Sequence, residues 1–144
     1  MHIHGEWRLD ESGVLTPVLD CKLLSGTGEW LDAGFLIDSG AERTVISGDV
    51  LRQLDAPTHV SLHFLVGLGS SVQVLTVSTK LMLELDNGSS IVVNGPFDGL
   101  PEGREGELSI LGRDVLGNFA VILDRPGEAI ALLYGRHRYS IHED

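Results

Sequence analysis

Apolar and polar residues alternate with a period of two along much of the chain, interrupted by stretches rich in Gly, Pro and Asp/Asn. That pattern predicts short strands, half-buried on one face and joined by turns. Residues 14–24 read as a strand, Ser25-Gly26-Thr27-Gly28 as a turn, and residues 30–37 as the return strand of a hairpin. Pro17 belongs near the strand start or at a sheet edge, because it has no N–H to give a ladder. Residues 47–54 predict a short helix. Ser47 caps it, Asp49 suits its positive first turn, Val50, Leu51 and Leu54 share a face, and Pro57 ends it.

Two β runs follow, residues 59–66 and 72–85, around Gly67-Leu68-Gly69-Ser70-Ser71. In the second, Leu75, Val77, Leu81, Leu83 and Leu85 fall on one side, with Gln73, Lys80, Glu84 and Asp86 on or near the other. Its length predicts that it bends or serves two sheets. Asp86-Asn87-Gly88-Ser89 is a strong hairpin signal leading into Ile91-Val92-Val93. Residues 94–107 are rich in Gly, Pro and acid and read as a mobile surface loop, longer than most connections. Residues 108–111 form a strand, Gly112 opens a short helix or turn, and residues 119–123 and 129–134 make a last hairpin. Its turn, Arg125-Pro126-Gly127-Glu128, has Pro and Gly in the order a type II turn uses. The tail from Arg136 is expected to fray or to pack on a partner chain. The sum is one mostly β domain over residues 1–144, with its core at about 14–134 and one or two short helices.

Length and charge narrow the classes. The 144 residues fit one domain with a moderate core. A net charge of −11 opposes binding to nucleic acid or to an anionic membrane, whose phosphates it repels. Cys21 is the only cysteine, so no intrachain disulfide can form, which fits a reducing compartment. The first residues lack the apolar stretch of a signal peptide, and no apolar run reaches the ~20 residues that span a bilayer. The expectation is a cytoplasmic protein.

The chemistry concentrates in Phe35-Leu36-Ile37-Asp38-Ser39-Gly40-Ala41-Glu42-Arg43-Thr44-Val45-Ile46-Ser47. An apolar strand here delivers a carboxylate to a tight turn, and Ser-Gly lets the backbone turn so that Asp38 projects from the strand end. Taken alone, Asp-Ser-Gly is equally an ordinary turn, since these residues dominate turns for local hydrogen-bonding reasons. His2 and His4 can share one strand face, but two ligands without a third make a poor metal site, and a solvated terminus is the expectation. His59 and His63 are read the same way. No metal or cofactor is expected.

Asp38-Ser39-Gly40-Ala41 with Thr44-Val45-Ile46 resembles the catalytic segment of the retropepsin-like aspartic proteases, the retroviral type and its bacterial relatives. Ile110-Leu111-Gly112-Arg113-Asp114 resembles that family's second signature, and Val66-Gly67-Leu68-Gly69-Ser70 lies where the family places its flap. The resemblance implies a barrel-like acid-protease fold, a single lobe that pairs as a homodimer, with a flap at about 60–76 and an extra loop at about 94–107. It implies Asp38 as the catalytic residue and Ser39, Gly40, Gly112 and Arg113 as support. Ala41, Glu42, Gly67, Leu68 and Gly69 would hold an extended peptide, and Glu42 would pair with Arg113.

Hydrolysis by carboxylates needs two of them sharing one proton, because like charges about 3 Å apart cannot both ionise. This chain has one Asp-Ser-Gly. The second carboxylate must then come from a second copy of the chain, and the expected function is a homodimeric aspartic endopeptidase. The other reading is a retropepsin-like module that binds peptide or dimerises without cleaving. A protease acting only on its own precursor is a third. A serine or cysteine hydrolase does not fit: Cys21 lies mid-strand and there is no Gly-x-Ser-x-Gly elbow.

Overall fold

The structure, a computed structural model, describes residues 2–67 and 69–144. The chain begins with β1 (His2–His4), β2 (Glu6–Leu9), β3 (Leu15–Leu24), β4 (Trp30–Ile37), β5 (Val45–Ile46) and helix α1 (Gly48–Leu54). It continues through β6 (Thr58–Gly67), β7 (Ser70–Val77), β8 (Lys80–Glu84), β9 (Ser90–Asn94) and β10 (Phe97–Gly99). Last come β11 (Ser109–Leu111), helix α2 (Arg113–Leu116), β12 (Phe119–Asp124) and β13 (Ala129–Tyr134). A small sheet has the order β1-β13-β12. The large sheet runs β6-β7-β10-β5-β11-β4-β3-β8-β9, with β2 paired to β3, and curls into a half-barrel. The mostly β class expected from the sequence is the one observed.

Period-two patterning builds the core. In β3, Leu19, Cys21 and Leu23 are buried while Asp20 and Lys22 alternate outward, and Leu19 and Cys21 stand opposite Phe35 and Ala33 of β4. Ile46, Leu54, Leu81, Leu83, Leu111 and Leu132 join the same cluster. Each fully buried side chain of this size contributes about 1.5–3 kcal/mol. Helix α1 starts where the sequence places it: Ser47 Oγ accepts from the Val50 N–H, and Asp49 occupies the first turn. The hairpin through Asn87-Gly88 also forms, with Gly88 at φ 86°.

Four expectations need correction. The stretch 94–107 is not one loop, because Phe97, Asp98 and Gly99 are buried as β10, parallel to β5 and antiparallel to β7. A three-residue strand is too short to show periodicity. The rest of that stretch is tied to α1, where the Gly106 N–H donates to Asp49 Oδ2 and Arg52 Nη2 donates to the Gly103 carbonyl. The run 72–85 does bend, at Ser78-Thr79, and its halves β7 and β8 each lie one strand in from opposite edges of the large sheet. Val77, Leu81, Leu83 and Leu85 are buried on one side as read, but Leu75 is only half-buried and Val74 is the fully buried residue ahead of Val77. The first residues are not a solvated terminus: Ile3 is buried, and β1 pairs with β13 from His2↔Leu133 to His4↔Ala131. In the last hairpin the left-handed residue is Glu128 at φ 52°, not Gly127, because the Asp124 carboxylate accepts the Gly127 N–H and fixes a different turn.

Residues 135–144 form no strand or helix and are exposed. Among the described residues, no helix is long and apolar enough to cross a membrane.

Candidate active site

Strand β4 buries Ala33, Phe35 and Ile37 and ends one residue before Asp38. The Asp38 N–H donates to the Leu111 carbonyl (3.1 Å), which extends the parallel pairing of β4 with β11 to the carboxylate itself. A tight turn follows. Asp38 Oδ1 accepts the Gly40 N–H (2.9 Å), and the Asp38 carbonyl accepts the Ala41 N–H (3.1 Å). A Cβ at residue 40 would stand 3.1 Å from that carboxylate oxygen, so Gly40 keeps the turn close. Asp38 is half-buried, and Ser39 and Gly40 are exposed.

The second signature is joined to this turn mostly through the backbone. The Arg113 N–H donates to the Ala41 carbonyl (2.8 Å) and the Asp114 N–H to the Glu42 carbonyl (3.2 Å). Gly112 packs so closely on Arg43 and Thr44 that a Cβ would collide with the Arg43 carbonyl. The Arg113 guanidinium donates to the Ser39 carbonyl (2.8 Å). The Glu42–Arg113 ion pair expected from the resemblance therefore does not form. Glu42 is exposed, and fixing an exposed carboxylate costs side-chain entropy that a carbonyl already in place does not.

Sequence reasoning gave no role to the residues that tie the junction together. Thr44 is fully buried; its Oγ1 donates to Asp114 Oδ1 (2.7 Å) and accepts the Gly112 N–H (3.0 Å), while its own N–H donates to the Asp114 carboxylate (2.9 and 3.0 Å). Ser109 Oγ accepts the Ser47 N–H (2.9 Å) in the same buried layer. The signal was present: a hydroxyl within the apolar run Thr44-Val45-Ile46, and an Asp closing Gly112-Arg113-Asp114. Buried polar groups at such positions must find partners. Asp98, nearly buried and 3.8 Å from Arg43 Nη1, gave no such signal, because it sits in the stretch read as a loop.

A groove of about 390 Å³ lies beside the turn, with Gly40, Ala41, Glu42 and Arg43 on its lining together with Phe64 and Val66 of β6. A larger groove of about 640 Å³ shares Ile110 with it and is lined by Arg8, Val18, Leu36 and Leu108 among others. The structure thus brings Ala41 and Glu42 into a groove facing the β6–β7 hairpin. Gly67 ends β6, and Gly69 takes φ 81° in the connection to β7. Leu68 lies outside the described residues. Cys21 is buried, and burial, with a smaller push from Asp20, drives its thiol pKa up, so it is no nucleophile.

Chain order, topology and site can be compared with known proteins. No sequence-family model matches the chain, and no curated protein matches it in sequence. In structure the chain is similar to a retropepsin-like aspartic protease from Rickettsia conorii, over 93% of this chain and 91% of that one, with a TM-score of 0.59 and 12% sequence identity. The fold is retropepsin-like. EIAV protease complexed with the inhibitor HBY-793 is a further similar structure, at 20% identity, 71% coverage of this chain and 86% of that one, with a TM-score of 0.48. Within this retropepsin-like fold the two sequence signatures meet where β4 and β11 end side by side.

Proposed function

We propose that the chain is an aspartic endopeptidase that works as a homodimer, with Asp38 from each of two chains sharing one proton and one water. One observation carries this reading: the Asp38-Ser39-Gly40 turn and the Gly112-Arg113-Asp114 segment, 74 residues apart in sequence, are joined by the Arg113–Ser39 bond. The similar fold of a retropepsin-like aspartic protease supports it. In the proposed reaction the ionised Asp38 takes a proton from water, whose oxygen attacks the scissile carbonyl carbon. The protonated Asp38 of the other chain donates to the carbonyl oxygen. Collapse of the tetrahedral intermediate breaks the C–N bond as the amine takes up a proton.

Ser39 would bond across the dimer, and Gly40 would let backbone approach backbone. Ala41 and Glu42 would hold an extended peptide from below. The β6–β7 hairpin, with Gly67, Leu68 and Gly69, would close on it as a flap. The substrate would be a peptide or protein cleaved between apolar side chains, without a cofactor. A single buried thiol suits the cytoplasm as its compartment.

Asp38→Asn tests the reading. Cleavage of a peptide library should fall by about 10⁴-fold or more, the scale on which loss of a catalytic group acts. Circular dichroism and sedimentation should stay unchanged. Normal cleavage by the variant contradicts the mechanism. Peptide binding without cleavage by the parent protein would move the non-catalytic module ahead.

A further inference from the structure

We infer that His2, His4 and Asp86 form a binding site for a divalent d-block cation of the Zn²⁺ type, apart from the Asp38 turn. In β1 the alternation of the strand places His2 and His4 on one face and the buried Ile3 on the other. Their imidazole rings stand 4.4 Å apart, edge to face. The third donor comes from the turn after β8. The Asp86 N–H donates to the His2 carbonyl (3.0 Å), and the His2 N–H donates to Asp86 Oδ1 (3.1 Å). These two bonds, one to the backbone and one to the carboxylate, hold Asp86 at the first histidine, with His2 Nε2 3.5 Å from Asp86 Oδ2.

One ligand atom from each residue can be chosen so that all three lie within 4.8 Å of one another. Bonds of about 2.0–2.2 Å around a tetrahedral zinc space neighbouring ligands by about 3.4 Å. A modest rotation of the exposed His4 ring supplies the difference. Two imidazoles with one carboxylate suit Zn²⁺ and its first-row neighbours, whereas Mg²⁺ and Ca²⁺ take oxygen ligands. The position has a structural consequence. β1 belongs to the small sheet and Asp86 follows a strand of the large one, so a bound cation links the two sheets. Because the site is assembled only in the folded chain, the cation stabilises it by mass action.

The test is titration of Zn²⁺ into untagged, chelator-treated protein, followed by calorimetry and by thermal unfolding. One equivalent per chain and a raised Tm are expected, with no such rise in Mg²⁺. His4→Ala, at an exposed position, should leave the Tm of the metal-free protein unchanged. It should weaken Zn²⁺ binding by more than the roughly 10–100-fold that loss of an outer-shell partner costs. Absence of saturable binding overturns the assignment. So does binding that survives His4→Ala, which would place the cation on other histidines such as His137 and His142.

Discussion

The Asp38 turn and the β6–β7 hairpin face each other across a groove, and they are held in opposite ways. The turn hangs on the core. Phe35 and Ile37 are buried before it, Thr44 is buried after it, and hydrogen bonds from Arg113, Asp114 and Gly112 cross to it from the far signature. Among the described residues, sheet pairing ties the hairpin to the rest of the fold at its base, where Leu75, Thr76 and Val77 pair with β10. Beyond that, β6 and β7 pair with each other, and Val60, Leu62, Phe64 and Val66 project at alternate positions, Leu62 being 97% exposed. A carboxylate that does chemistry has to be fixed within a fraction of an ångström, while a strand that covers a peptide has to move. Exposed apolar residues in that number call for a covering ligand or partner. The difference in construction thus matches the division of labour proposed for the two regions.

The comparison can be broken from either side. The largest effect is expected at Phe35→Ala, which empties a fully buried position in β4, the strand that ends just before Asp38, and should cost about 3–5 kcal/mol in denaturant unfolding. Thr44→Val should cost about 1–3 kcal/mol, because it keeps the shape but leaves the Gly112 N–H without its acceptor and Asp114 without its shortest bond. Cleavage should fall with it. If Thr44→Val were neutral for both, the buried junction would not be what fixes the turn. Val66→Ser should change stability by no more than about 0.5 kcal/mol, since that side chain is 84% exposed, while raising KM for an apolar peptide, since it lines the groove. A large loss of stability would show that the hairpin is built like the turn after all.

The smallest effect is expected at Asp10, which belongs to neither region. The Ser12 hydroxyl, and then the Val14 amide, hold its carboxyl below the ordinary value of 3.8. A depressed carboxyl stabilises the fold fully above that value and loses the contribution as the pH falls through its lower native pKa. Asp10→Asn should therefore flatten stability only on the acid side, seen as a smaller difference between urea midpoints at pH 5 and pH 2.5.

What the sequence carried, and what it did not, follows the same division. The long alternating strands, the capped helix at Ser47 and the Asn87-Gly88 turn are local signals, and local physics decides them. The two signature segments were legible as pieces. Their junction was not, because Arg113 donates to a backbone carbonyl that no residue identity encodes, and the Glu42 partner suggested by likeness stays in solvent. Phe97-Asp98-Gly99 was hidden for another reason. Its burial comes from two neighbours in the sheet, β5 and β7, that are distant in sequence. His2 and His4 were readable as a pair of ligands, but Asp86, 84 residues away, becomes their neighbour only through pairing of the turn with β1.

The central claim is a single active site built by two chains. Titrating the protein with a peptide carrying a hydroxyethylene mimic of the transition state, with calorimetric readout, counts sites most directly. The account predicts one inhibitor bound per two chains, with the complex sedimenting at twice the chain mass. One inhibitor per chain, or no binding by a protein that stays monomeric, would contradict it.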